Sequence, residues 1–314
     1  MIKFSVPYNG RNIKNYIEEL EKRIEYVNDI YLALPGISNF FSVKMDELHD
    51  KNCEIMLQIT KGTGLKRIVV LNDNYYDLNK SELSKLIDIV ANKLNKYEPD
   101  GIVTTNIILA ETIRNKFPEI EVSTSCNLPY YRLAKYKEWK NIGVTLVTPP
   151  RDTGRNIPLL KELTENNYKV RLLINEGCNV QCPAMGFCEV NKSKRECIYA
   201  IRKNRNFLHR CVILPRWLNV LDKYCSIYKL QGRGVLTERI FTNLDLYIKR
   251  DDCNYFDLFA NPRINGYVST EEIPDTLLHC GCNNCDNCNI CEELYNKYPI
   301  LRTGKKENGN GTET

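Results

Sequence analysis

The sequence predicts a closed (β/α)8, TIM-like barrel with a C-terminal cysteine-rich appendage. Short runs rich in Val, Ile or Leu alternate with amphipathic helical patterns through the first 250 residues, the texture of a parallel sheet covered by helices. Eight such units in about 250 residues match the size of a closed barrel. An open doubly wound sheet is the alternative, but no G-x-G-x-x-G follows the first run.

The strand candidates, in order, are 3–6, 29–34, 67–71, 101–105, 121–125, 144–148, 170–174 and 227–230, each bounded by Gly, Pro, Asn or Asp. A ninth apolar run, 211–214, leaves the count open by one. Between them, Ile13, Ile17, Leu20, Ile24 and Val27 fall on one helical face, as do Leu83, Leu86, Ile87, Val90 and Leu94. Asn79-Lys80-Ser81-Glu82 reads as the capping-box start of the second of these helices. After residue 250 the chain turns aromatic and turn-rich, then enters a cysteine run and a short helix at 292–298. The expected division is a barrel over 1–250 with a cysteine-rich insertion at about 176–212, a cysteine-rich segment over 251–302, and a disordered tail over 303–314.

Composition excludes several classes. A hydrophobic share of 43% and a charged share of 26% are ordinary for a globular chain, not a wholly disordered, collagen-like or multi-span membrane protein. The net charge of +5 is too mild to indicate nucleic-acid binding by itself. Cysteine is the outlier, with fourteen against three histidines. The N-terminal apolar run is broken at once by Pro7 and a turn, and no stretch approaches the roughly 18 to 20 apolar residues of a membrane span. A cytoplasmic chain is therefore expected, with no membrane partner, and there clustered thiolates act as metal ligands rather than bridges.

Two cysteine groups carry that expectation. Cys282, Cys285, Cys288 and Cys291 recur every third residue, with Cys280 just ahead. This resembles the ferredoxin run that wraps a four-iron cluster, and a tetrahedral zinc site more often draws two C-x2-C pairs from separate segments. Iron–sulfur is the preferred cofactor here and zinc the alternative. In the middle group, Cys178 and Cys182 follow a buried run and so fall where barrel enzymes gather their ligands. Spacing does not choose their partners among Cys188, Cys197 and Cys211. Cys53, Cys253 and Cys225 read as small buried hydrophobes. Cys178, Cys182 and the next thiol, Cys188, do not have the C-x3-C-x2-C spacing of radical enzymes that cleave S-adenosylmethionine.

The remaining strand exits are mostly neutral: Asn9, Asn72, Asp73, Thr105, Asn106, Ser125 to Asn127, Thr148, Asn175 and Gln231. Glu176 is the well-placed acid and Arg233 the well-placed base, so these two are the catalytic candidates. Arg233 offers a two-pronged fork to a carboxylate or phosphate. Asn9, Asn106, Asn127, Asn175 and Gln231 are the substrate-binding candidates, although turn capping is the ordinary use of such residues. No H-E-x-x-H, G-x-S-x-G or P-loop is present, and His49, His209 and His279 stand apart.

Four motifs occur in order: Val122-Ser123-Thr124-Ser125-Cys126-Asn127, Asn175-Glu176-Gly177-Cys178 with Cys182-Pro183, Leu214-Pro215-Arg216-Trp217-Leu218, and Tyr228-Lys229-Leu230-Gln231-Gly232-Arg233. Together they resemble the collagenase-like peptidase family U32. That resemblance implies a (β/α)8-type barrel. It also implies oxygen-independent hydroxylating chemistry on RNA or a quinone precursor, with a four-iron cluster held by barrel cysteines. Carried over by position, Cys178 and Cys182 become cluster ligands, with Cys197 and Cys211 completing the set and Cys188 as substitute. Arg216, from the shared turn, joins the substrate-binding set. The extra cysteines depart from the family pattern, so its substrate is not carried over.

The expectation is thus an enzyme, an iron–sulfur barrel oxidoreductase with two 4Fe-4S clusters acting on RNA or a small anionic metabolite. A related subunit or electron donor is the expected protein partner. The alternatives are an electron-transfer or binding protein without catalysis, and a peptidase acting on unfolded or collagen-like peptides. Lys192, Lys194, Arg195, Arg202, Lys203 and Arg205 form the densest basic group and would carry RNA binding.

Overall fold

The computed structural model describes residues 2–37, 47–72, 80–177, 207–259, 266–280 and 288–303. Eight parallel strands close into a barrel in chain order. They are β1 (Lys3–Pro7), β2 (Val27–Ala33), β3 (Lys66–Leu71), β4 (Gly101–Thr104), β5 (Glu121–Thr124), β6 (Leu146–Val147), β7 (Lys169–Leu173) and β8 (Ile227–Lys229). Closure runs through Ser5 opposite Lys229 and Leu173 opposite Lys229, so β8 pairs with both β1 and β7. The helices between strands are α1 (Ile13–Glu21), α2 (Glu47–Ile59), α3 (Lys80–Tyr97), α4 (Ile107–Lys116), α5 (Leu133–Asn141), α6 (Ile157–Glu165) and the four-residue α7 (Leu218–Leu221). After β8 come α8 (Thr237–Lys249), α9 (Ile290–Lys297) and α10 (Ile300–Thr303).

All eight expected strands form, each within two residues of the sequence boundaries. The ninth run does not. Ile213 N donates to Ile174 O at 2.8 Å, but Pro215 opens a 3-10 turn, and 211–214 only lies alongside the β7 exit. The first helix is shorter than its apolar pattern. Arg23 donates to the Glu19 carbonyl at 2.9 Å, a 3-10 turn follows at Ile24–Tyr26, and Val27 already begins β2. Asn79 and residues 304–314 lie outside the described residues.

Alternation along the strands builds two cores. Phe4, Val6, Ile30, Leu32, Val69, Ile102, Val170 and Tyr228 face outward into one large cluster with the helices. Tyr31, Ile68, Val70 and Val103 form a smaller cluster inside the barrel. Gly101 faces that interior, where a Cβ would sit 2.7 Å from Ile68 Cδ1 and 2.8 Å from the Glu121 carbonyl; no side chain fits.

The barrel interior also holds a polar plug. Asp29 and Arg171, both fully buried, pair at 3.2 Å. Ser5 donates its hydroxyl to Asp29, and Arg171 donates to Ser123 Oγ at 3.3 Å. Desolvating two charges is tolerated here because each has further polar partners.

The segment after residue 251 shares the outer core, contributing Leu277, Leu278, Leu294 and Leu301. Arg155 pins it by donating to Leu277 O at 3.2 Å, to Leu208 O at 2.8 Å and to Arg210 O. Among the described residues no helix is long and apolar enough to cross a membrane.

Candidate active site

In barrels of this kind chemistry sits where strands end and loops begin. Here that face is organised around Tyr31, two residues nearer the mouth than Asp29 on the same side of β2. Tyr31 donates its hydroxyl to Leu230 O at 2.5 Å, which fixes the ring. Lys229 places Nζ 4.0 Å from the ring centroid, and the Arg233 guanidinium lies 6.0 Å from the same centroid. Both contacts have cation–π geometry.

Lys229 is buried, and among the described residues its ammonium has no ion pair and no hydrogen bond. Burial pushes it down to about 8. The Cys126 sulfur opposes that, the Arg171 and Arg233 charges add to it, and Asp29 opposes. The Tyr31 hydroxyl moves the other way, raised first by burial. Arg233 lowers it, while Cys126, Asp29 and Glu176 raise it. Lys229, Arg233, Cys126 and Glu176 therefore share one electrostatic neighbourhood around the Tyr31 ring.

Glu176 also reaches the thiol of Cys211. Burial pushes that thiol well up. Arg155 and the Gly154 N–H lower it, and Glu176 and Asp152 raise it. Gly154 has to be glycine for space: a Cβ there would lie 2.9 Å from the Cys211 carbonyl. Arg210 donates to Gly177 O at 2.7 Å and Ile213 N bonds Ile174 O, so residues 210–213 flank the β7 exit up to the residue preceding Cys178.

The amide candidates divide by what they touch. Asn9 donates to Val235 O at 2.8 Å and to Thr237 Oγ1 at 3.2 Å, fastening the β1 loop to the β8 loop. Asn175 accepts from Gln231 N at 2.6 Å and donates to Gln231 O at 3.0 Å, joining the β7 and β8 exits. Asn106 caps α4 by accepting from Leu109 N at 3.0 Å. These three brace the rim. Asn127 is half-buried beside Cys126, and the Gln231 side chain is exposed. Arg216 bonds Asp275 at 2.9 Å, Asp252 at 2.7 Å and Thr270 O at 2.7 Å, so it ties the barrel to the C-terminal segment.

Of the expected metal ligands, Cys178, Cys182, Cys197, Cys282 and Cys285 lie outside the described residues, as do Cys188, Asp73 and the basic group 192–205. Cys211 is buried, Cys291 half-buried and Cys288 exposed. Cys291 Sγ lies 3.8 Å from His209 Nε2, and the charges of both Cys291 and Cys211 are felt at Tyr255. Among the described residues no three His, Cys, Asp or Glu side chains converge on a metal position.

Sequence reasoning passed over Lys229, Tyr31 and Cys126 as site residues. For Lys229 the available signal was a charge at the end of a strand otherwise apolar enough to be buried on both faces.

The solved U32 peptidase Mk0906 has a similar fold: TM-score 0.53 at 13% identity, over 74% of this chain and 93% of that one. The solved KGPDC from Streptococcus mutans, in a ligand complex, gives 0.47 at 9% identity over 80% and 97%. No curated protein matches the chain. The family model described as peptidase family U32 matches residues 15–172, just over half the chain, and ends before the Asn175–Pro183 motif. By that match, the chain belongs to peptidase family U32.

Proposed function

We propose that this chain is an iron–sulfur barrel enzyme that carries out an oxygen-independent hydroxylation or related redox modification of an anionic substrate, either RNA or a small metabolite. The observation that supports it is a mouth in which two cations, Lys229 and Arg233, stand 4.0 Å and 6.0 Å from the Tyr31 ring, with residues 211–213 lying along the β7 exit. A metal held at Cys211 would adjoin the place where substrate binds.

Cys211 fits the ligand role. It flanks the residues that lead into Cys178, and a backbone N–H and the Arg155 charge offset part of the burial that pushes its thiol well up. Cys178, Cys182 and Cys197 would complete that set, and Cys282, Cys285, Cys288 and Cys291 a second; zinc remains the alternative metal. An iron–sulfur cluster, when bound, supplies electron transfer and a Lewis-acidic iron. The chain's own residues do the rest. Lys229 and Arg233 attract and orient the anion, Tyr31 supplies a flat apolar floor, and Glu176 is the acid at the β7 exit.

The peptidase reading would need an activated nucleophile. Cys53 Sγ lies 3.7 Å from His49 Nδ1, a thiol–imidazole spacing, but burial pushes Cys53 up to about 12 and keeps it protonated at neutral pH. That argues against hydrolysis through this pair.

Iron content and visible absorption of anaerobically purified protein test the proposal. Sulfide-stoichiometric iron with a brown chromophore, diminished in Cys211→Ser, is expected. A colourless protein with stoichiometric zinc would overturn it.

A further inference from the structure

Lys229 is costly where it stands. It is the last residue of β8, buried over the Tyr31 ring inside the barrel, and has no ion pair among the described residues. A buried ammonium without a counter-ion destabilises a fold. Arg171 below it, by contrast, has Asp29 at 3.2 Å. Arg233, half-buried at the rim over the same ring, likewise has no ion pair among the described residues. The mouth thus presents a recessed amine beneath a guanidinium that can hold a carboxylate.

We propose that Lys229 is a covalent residue that forms an imine with the carbonyl carbon of an anionic carbonyl compound whose carboxylate is held by Arg233. The neutral amine adds to the C=O, forming the C–N bond of a carbinolamine. The carbonyl oxygen then departs as water, taking with it the two hydrogens of the amine. No oxidant or reductant is consumed. The depressed basicity of Lys229 keeps a usable fraction of neutral amine near neutral pH. The charged and titratable groups facing it are Cys126, Arg171, Arg233, Asp29 and Tyr31. This deepens the reading of the mouth as an anionic-substrate site and rests on it, but needs no metal.

Full-length protein, purified anaerobically, is incubated with pyruvate and cyanoborohydride, with acetone as the uncharged probe, and the adduct is mapped by peptide mass spectrometry. One adduct per chain is expected, on Lys229. Pyruvate should exceed acetone by about tenfold, the scale of one charge-assisted pair, and Arg233→Met should remove that preference. Lys229→Met and Lys229→Arg should both lose the adduct while keeping the circular-dichroism spectrum of the parent. Adducts spread over exposed lysines with Lys229 unmodified would overturn the proposal, whatever the iron content. Labelling at Lys229 in a protein free of iron would uphold it and remove only the iron–sulfur reading.

Discussion

Replacing Asp29 by Asn strands the Arg171 charge inside the barrel. Both side chains are fully buried, and their polar atoms lie 3.2 Å apart. At an effective dielectric of about 20 the lost attraction is on the order of 5 kcal/mol, and breaking one side of a buried pair usually costs about 3–5 kcal/mol. Glu121 is 3.8 Å from Arg171 but 35% exposed, and Ser123 Oγ remains as an acceptor at 3.3 Å. Those two partners soften the loss, so about 3 kcal/mol is expected. Urea unfolding followed by circular dichroism reads this as a lower midpoint at unchanged slope, and the melting temperature should drop by about 5 °C. Asp29→Leu combined with Arg171→Met should recover most of the stability. A loss below about 1 kcal/mol in Asp29→Asn would mean that Arg171 is solvated, and the interior plug would be refuted.

Lys229→Met should stabilise the protein at pH 7. Lys229 falls from 10.5 to about 8 in the fold, a penalty of about 3 kcal/mol at 1.36 per unit. The penalty is present below pH 8 and disappears as pH rises toward 10.5, so unfolding curves of parent and variant should converge over that window; a constant difference would contradict it. Cys53 and Cys253, raised from 9.0 to about 12 and about 11, act in the opposite sense. Their stabilisation is complete below pH 9 and lost as pH climbs through 11 to 12, so both proteins should weaken there, and Cys53→Ala should weaken less steeply. Gly154→Ala should displace residues 211–213 and cost about 1–3 kcal/mol by overpacking, with reduced iron retention; parent-like stability and iron would show that the loop yields. Arg155→Met leaves the buried Leu208 and Arg210 carbonyls without their donor and Leu277 O with only the Cys280 N–H, and should cost about 3 kcal/mol, with faster proteolysis after residue 250. Unchanged proteolysis would mean that the C-terminal segment is held by apolar packing alone.

The eight strands were legible because each is a short β-branched run closed by turn residues, and a barrel buried on both faces needs little else. The 211–214 run misled because it is equally apolar, yet its apolarity serves packing beside β7 rather than a ladder. Asn9, Asn106 and Asn175 stand at the strand exits, as read; Asn9 and Asn175 bond the loops to one another and Asn106 caps α4, and sequence places an amide at a rim without saying whether it faces substrate or chain. The mouth itself was less legible. Arg233 stands over Tyr31, but Tyr31 lies inside β2 and Lys229 is the last residue of β8, just short of the exits that were read. Asp29 and Arg171 were hidden likewise, since their pairing depends on closure bringing β2 and β7 across the barrel.

Anomalous diffraction at the iron edge, from crystals grown anaerobically, bears most directly on whether this mouth houses redox chemistry. An iron peak within thiolate-bonding distance of Cys211 Sγ, on the side facing Glu176, is the predicted result. Iron absent from Cys211, with its thiol packed in apolar surroundings, would contradict it.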